Sequence, residues 1–309
     1  MVRIGVVGVG GWGKNYLRVL KDFDSLACFC DIDNEKIKFY SLKYQVPGYD
    51  NLEVMLRKEN LDGLIISTPA STHYSLAKKA LEYNLNLLIE KPMCINSSEA
   101  EELVEKAEEK GLVLAVGHIE RFNPAVERLK DIIERRELGE LLFLEFHRES
   151  SIPTHIKDVG IVFDTTIHDI DTARWLFKDE PYMVFSKLSR IIKDKEDTAL
   201  VLMSFNKGKT AFLSSNWITP RRVRQLFAIF EKGIITLDFI SQEITIDFVD
   251  KRVTPREKWE EPLVRAIKDF LDAVEKKGKP KVDGREGLKN VKIAEAIIES
   301  SKKNLPIYL

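Results

Sequence analysis

The chain has few cysteines, no long apolar run and no surplus of either charge, and each absence narrows what it can be. Three cysteines among 309 residues cannot staple a small secreted scaffold. Cys28 and Cys30 lie inside an apolar run, and Cys94 stands alone. With no second cysteine pair and no histidine cluster, they read as core thiols of a reducing compartment and not as metal ligands. No apolar stretch approaches the roughly 18 residues of a membrane span, and the first residues read as a strand and not as a signal peptide. The expectation is a cytoplasmic protein with no membrane partner. Lysine and arginine total 48 against 49 aspartates and glutamates, so there is no basic excess to attract nucleic acid. What the chain does have is a 44% apolar fraction, enough for a packed core, and a length that exceeds one core and implies two domains.

The most informative stretch is 2–33. The apolar run Val2 to Val7 reads as a buried strand and leads into Gly8-Val9-Gly10-Gly11-Trp12-Gly13. A helical stretch follows, then a second apolar run, Leu26 to Cys30, ending in Asp31. Glycine stands where the strand must turn, where backbone must approach a pyrophosphate and where helix must pack closely on strand. The helix N-terminus offers unpaired N–H groups to phosphates. Asp31 lies eighteen residues beyond Gly13, close to the roughly 20-residue spacing of the acid that binds the ribose hydroxyls. Its carboxylate would repel a 2′-phosphate, and Ile32 follows where an arginine would suit NADP. The expected cofactor is NAD.

Through residue 116 the chain alternates strand and helix, with strands at Gly63 to Ser67, Leu85 to Ile89 and Leu112 to Val116. That order means a doubly wound parallel sheet covered on both faces. Ser98 with Glu101 reads as a capping box opening a helix that Gly111 closes. Beyond it the pattern changes. Asn123 to Arg136 and Phe163 to Phe177 read as helices, the second as an amphipathic one. Leu141 to Arg148 alternates like a strand, and Tyr182 to about Phe248 reads as consecutive strands joined at Asn206-Lys207-Gly208-Lys209 and Glu231-Lys232-Gly233. Leu263 to Lys276 and Gly287 to Ser301 are closing helices, expected to pack back toward the first domain. The fold class is α/β: a nucleotide-binding domain over 1–119, then an α+β domain over 120–309 with a large, mostly antiparallel, open sheet. The uncovered face of such a sheet suits a homodimer or homotetramer interface.

Ligands of a doubly wound sheet bind beyond the carboxyl ends of its strands. There lie Ser67-Thr68-Pro69 with His73, and Glu90-Lys91-Pro92, where proline biases Lys91 toward an extended backbone that leaves the sheet for the cleft. A second cluster is Asp164-Thr165-Thr166-Ile167-His168-Asp169-Ile170-Asp171. On a regular helix Asp164, His168 and Asp171 share one face. An imidazole one turn from carboxylates suits proton transfer from a hydroxyl, although the same residues could be a charged helix start. No ligand set for a metal accompanies them.

Taken together, the glycine-rich turn, Thr68-Pro69 with His73, Glu90-Lys91-Pro92 and Asp164-x-x-x-His168 resemble the Gfo/Idh/MocA oxidoreductase family along essentially the whole chain. The resemblance implies a Rossmann domain followed by an α/β domain with an open sheet, and NAD(P)-linked oxidation of a sugar or polyol hydroxyl. It implies that Lys91 sits at the nicotinamide and the substrate hydroxyl, and that His168 is the acid/base with Asp164 beside it. The cofactor set would be Gly8, Gly10, Gly11, Trp12, Gly13, Asp31, Ser67, Thr68, Pro69, His73, Glu90 and Lys91. Asn84 stands where the family often has glycine, and asparagine tolerates the left-handed backbone of a helix C-cap.

Gly117-His118-x-x-Arg121-Phe122-Asn123-Pro124 with Glu261-Pro262-Leu263 is similar to the branch of that family acting at C3 of UDP-N-acetylglucosamine or its uronic acid. On a strand, Arg222 and Arg224 would point the same way and present two guanidiniums to a pyrophosphate. Trp217 could stack on a sugar or base, or belong to the core. Arg121 joins the expected substrate contacts from that motif, and Asn123 could reach substrate hydroxyls or cap its helix. A dehydrogenase of inositol or a free sugar would need no pyrophosphate anchor. A non-catalytic NAD-dependent sensor on this scaffold could dispense with Lys91, Asp164 and His168, all of which are present.

Overall fold

The computed structural model describes residues 2–153, 158–255 and 258–309. The chain divides into two compact units, one formed by the residues up to Gly117 with Leu263–Lys289, the other by His118–Pro262 with Asn290–Leu309.

In the first unit six parallel strands, β1 (Ile4–Val7), β2 (Leu26–Cys30), β3 (Gly48–Tyr49), β4 (Gly63–Ile66), β5 (Asn86–Ile89) and β6 (Leu114–Val116), lie in the order β3-β2-β1-β4-β5-β6. That is the strand order of dinucleotide-binding sheets, which reverses direction at β1. β1 and β4 are buried at every position, which explains why their sequences are continuous apolar runs without alternation. The helices α1 (Gly13–Asp22), α2 (Asn34–Tyr44), α3 (Leu52–Lys58), α4 (His73–Glu82) and α5 (Ser97–Glu109) connect the strands. Asn96, and not Ser98, caps α5, its side chain accepting the Glu99 N–H. An amide two residues earlier meets the same need for an oxygen facing the first free N–H groups. Asn84 takes the left-handed conformation beyond α4, and Gly111 does so beyond α5. β3 escaped sequence reading because two residues carry no periodicity. Helix α8 (Pro262–Lys276) buries Ile267 and Phe270, and Phe270 packs beside Gly63 at the start of β4.

The second unit centres on β7 (Leu141–Glu149), the middle strand of nine. To one side run β11 (Val223–Phe230), β12 (Gly233–Asp238), β13 (Ile244–Asp247) and β14 (Arg252–Val253). To the other run β10 (Thr210–Asn216), β9 (Thr198–Ser204), β8 (Met183–Ser189) and β15 (Ile307–Tyr308). All pairings are antiparallel except β7 with β10. In β9, Ala199, Val201 and Met203 are buried while Leu200 and Leu202 are exposed, as is Phe185, the β8 partner of Leu202. One face is therefore core and the other carries exposed apolar side chains. Helices α6 (Pro124–Glu134), α7 (Ile167–Phe177) and the second half of α9 (Gly284–Lys303) belong to this unit. Among the described residues no helix is long and apolar enough to cross a membrane.

Helix α7 departs from the expected amphipathic helix in two ways. A π-helical turn, Val162–Thr166, precedes it, and the helix is buried on nearly all sides. Its charges are matched by buried partners. Arg121 forks onto Asp171 with Nε 2.8 Å and Nη2 2.7 Å from the two carboxylate oxygens, and Asn290 donates to the same carboxylate at 2.8 Å. Arg148 donates through Nε to Asp169 at 2.5 Å and through Nη1 to Glu120 at 3.0 Å. The Asp171 face therefore turns to Arg121 and inward.

Burial alone would raise the Asp171 pKa, but Arg121 and His118 outweigh it and hold the carboxyl at about 2, below its ordinary 3.8. A carboxylate with a depressed folded pKa contributes stability that is present above the unfolded value and lost as pH falls through the folded one. Asp171→Asn should cost about 3–5 kcal/mol at pH 7, because it strands Arg121 in the interior. The variant should also lose less stability than the parent between pH 4 and pH 2. Urea denaturation at pH 7, 4 and 2.5 measures both effects.

Candidate active site

The dinucleotide turn follows β1. Gly8 has φ +83° and its N–H donates to the Cys30 carbonyl at 2.8 Å, tying the turn to β2. A methyl group on Gly13 would stand 1.9 Å from the Gly8 oxygen, so only glycine lets α1 start this close to the strand. Gly10 and Gly11 differ: nothing lies within 4 Å of where their side chains would begin. That open approach to bare backbone beside a helix N-terminus fits a pyrophosphate. Trp12 forms the helix start and is partly exposed. Asp31 follows β2 as a buried carboxylate, with Oδ2 taking the Val9 N–H at 2.7 Å and Oδ1 the Asp33 N–H at 3.0 Å. A carboxylate offers about four acceptor positions, so two fix the group and two remain for ribose hydroxyls. Ile32 beside it is 93% exposed. The residues present fit NAD.

The loops after β4 and β5 are joined by His73. Its ring nitrogens bond the Pro92 carbonyl at 2.8 Å and the Thr68 carbonyl at 2.9 Å, so this buried imidazole holds Ser67-Thr68-Pro69 against Glu90-Lys91-Pro92. Lys91–Pro92 is a cis peptide. Glu90 is buried, takes the Tyr16 hydroxyl at 2.6 Å on Oε1 and accepts the Lys91 N–H at 3.0 Å on Oε2. Burial raises its pKa, opposed by Tyr16, Lys91 and Trp12.

In the second unit one observation singles out Asp164 and His168. From Val159 to Arg174 every residue is buried except these two. They lie four apart across the π turn, an irregularity frequent at functional sites. The His118 ring stands edge-on to His168, with centroids 6.4 Å apart. His118 also meets Asn290 at 3.1 Å, which joins it to the Asp171 network.

The remaining sequence candidates separate. Arg121 is buried on Asp171. Asn123 is buried as the cap of α6, its Oδ1 taking the Ala125 N–H at 3.1 Å and its Nδ2 donating to the Phe239 carbonyl at 3.0 Å. Trp217 is 1% exposed and donates its indole N–H to Thr165 at 3.1 Å, with the Lys193 ammonium 4.7 Å from the ring centre. These three side chains are committed to protein partners. Arg222 lies ahead of β11 and not on it, because the strand begins at Val223 after the Pro220 bend. Arg224 is on β11 opposite Arg148, so both project from the same face. Its Nη1 donates to the Glu149 and Val223 carbonyls at 3.2 and 3.0 Å. No carboxylate among the described residues lies within salt-bridge distance of Arg224. Burial and the neighbouring Arg148 and Arg222 charges lower its pKa to about 10, against the opposing charges of Asp169 and Glu120.

Tyr16, His118, Glu120, Arg148 and Asn290 were not singled out as site residues in the sequence. Tyr16 sits on the apolar face of α1 with Leu17 and Leu20 and reads as core. The others pair across distances in sequence that no local pattern records. No group of three or more His, Cys, Asp or Glu among the described residues could hold a metal.

The two kinds of glycine make a test. Gly13→Ala should lower stability by about 1–3 kcal/mol through overpacking and weaken NADH binding. Gly10→Ala should leave the melting temperature unchanged while weakening NADH binding, read by fluorescence titration.

Comparison with known proteins agrees with this geometry. Residues 2–118 match the Gfo/Idh/MocA oxidoreductase family with its NAD-binding Rossmann fold, and residues 126–236 match a C-terminal domain of the same family. A UDP-N-acetylglucosamine 3-dehydrogenase of Acidithiobacillus ferrooxidans is 27% identical over 283 residues, covering 88% of each chain. Its solved structure superposes with a TM-score of 0.90 over 97% of this chain and 98% of that one, at 26% identity. A myo-inositol 2-dehydrogenase of Thermotoga maritima is 24% identical, covering 98% of this chain and 96% of its own. The structure of a Bordetella pertussis dehydrogenase in complex with NADH and UDP-GlcNAcA has a TM-score of 0.86 at 21% identity, over 100% and 98% of the two chains, and shares the fold. The chain belongs to the Gfo/Idh/MocA family of NAD-binding oxidoreductases.

Proposed function

We propose that this protein oxidises a hydroxyl of a sugar nucleotide, at C3 of UDP-N-acetylglucosamine, with NAD as the acceptor. The observation that carries the chemistry is the pair Asp164 and His168, the two residues left accessible in an otherwise buried stretch. The substrate class rests on Arg224, a half-buried guanidinium without a carboxylate partner, and on similarity to the Acidithiobacillus ferrooxidans enzyme.

Bound NAD supplies the hydride acceptor. His168 takes the proton of the reacting hydroxyl as the carbon gives up hydride and becomes a ketone, and Lys91 is the group that the family motif assigns to the nicotinamide and that hydroxyl. Asp164, one turn away, orients the imidazole and balances its positive charge. Arg224 and Arg222 meet the diphosphate, an acceptor suited to guanidinium donors. The exposed apolar face bearing Phe185, Leu200 and Leu202 supports assembly as a homodimer or homotetramer.

The test is NADH formation at 340 nm with UDP-N-acetylglucosamine, its uronic acid, myo-inositol and glucose offered in parallel. Turnover on a UDP-sugar and not on the free polyols is expected. Lys91→Ala should keep NADH binding and lose roughly 10²–10⁴-fold in kcat. Arg224→Ala should raise KM for the UDP-sugar about tenfold or more. Activity confined to inositol or glucose, with KM indifferent to Arg224, would replace the sugar-nucleotide reading with a polyol one. Silence on all four with NADH bound would favour a sensor.

A further inference from the structure

Lys91 carries a role in the proposed chemistry, yet the structure ties it to the dinucleotide turn through a residue that the motif does not contain. Tyr16 lies one turn into α1, the helix that the glycine-rich turn begins, and is fully buried. Its hydroxyl is 2.6 Å from Glu90 Oε1. The other oxygen of that carboxylate accepts the Lys91 backbone N–H at 3.0 Å. Gly117 closes the far side, since a side chain there would begin 3.2 Å from the Glu90 carboxyl carbon. The carboxylate is thus walled in, with one oxygen held by the cofactor helix and the other by the lysine backbone.

We propose that Tyr16 is a positioning residue for Lys91, acting through Glu90. This rests on the functional reading above only for its effect on turnover; the coupling itself can be measured on the protein alone. A buried carboxylate is costly unless its oxygens are hydrogen-bonded, and the Tyr16 O–H makes one of those bonds. Beside burial, the groups acting on Glu90 are Tyr16 on α1, Lys91 on its own loop and Trp12 at the cap of α1. All three favour the ionised carboxylate, against burial. Without the Tyr16 hydroxyl, Glu90 takes up a proton at higher pH. The carboxylate also loses the contact that aims it at the Lys91 backbone. The consequence is that the helix opening at the pyrophosphate turn sets the place of the lysine.

The experiment uses Tyr16→Phe, Glu90→Gln and the double variant beside the parent. The rate at which acetic anhydride acetylates Lys91 is followed against pH by peptide mass spectrometry, without added cofactor. Tyr16→Phe should change the rate at which Lys91 reacts near pH 8 roughly three- to tenfold, because the loop that carries it is no longer held by Glu90. Glu90→Gln should do the same, and the double variant should add nothing, because both changes act on one carboxylate. In turnover, kcat of Tyr16→Phe should fall about tenfold, its acid limb moving to higher pH, while NADH affinity stays within twofold. Unchanged Lys91 reactivity in Tyr16→Phe, or additive effects in the double variant, would overturn the proposal. Lys91→Ala separates the two claims. If it turns over normally the catalytic reading of Lys91 falls, while the acetylation series still decides whether Tyr16 acts on it.

Discussion

The second unit depends on the burial of α7. A helix carrying Asp169, Asp171 and Arg174 can lie under a nine-stranded sheet only if each charge meets a partner, and each does: Arg148, Arg121 and Glu180. Fork-shaped guanidinium pairs fix direction as well as charge. The Arg121 fork on Asp171, after Ile170, and the single Arg148 bond to Asp169, after His168, set the rotation of the helix. With that rotation set, Asp164 and His168 are left as the accessible pair. The accessibility of this pair is a by-product of how the interior charges are paired.

Its counterpart in the first unit is also a set of close fits. Gly13 admits α1 to within reach of β1, His73 staples two loops by their carbonyls, and Glu90 joins α1 to the corner at Lys91. Each does a positional task, Gly13 by leaving space and the other two by hydrogen bonds.

Much of this could be read in the sequence, and the division is physical. The glycine turn, Asp31 and the strand-end clusters are visible because phosphate binding and strand termination impose local patterns. The hairpins at Lys207-Gly208 and Lys232-Gly233 are visible for the same reason. Burial of charge is not local. Arg121, Asn123 and Trp217 look like substrate contacts in a string of letters, because polar and aromatic residues near a motif suggest a ligand. Their partners, Asp171, Phe239 and Thr165, lie far away in sequence. Arg222 was expected on a strand that begins one residue later, where the bend after Pro220 ends. The amphipathic reading of α7 failed because its polar residues serve the interior.

The central claim is that His168, left accessible by this arrangement, takes the substrate proton. The direct measurement is turnover of His168→Asn with UDP-N-acetylglucosamine, followed as NADH formation across pH, with NADH affinity determined by fluorescence on the same preparation. Unchanged NADH affinity with kcat reduced roughly 10²–10⁴-fold is the predicted result. Turnover at the parent rate, with the parent's pH profile, would contradict it.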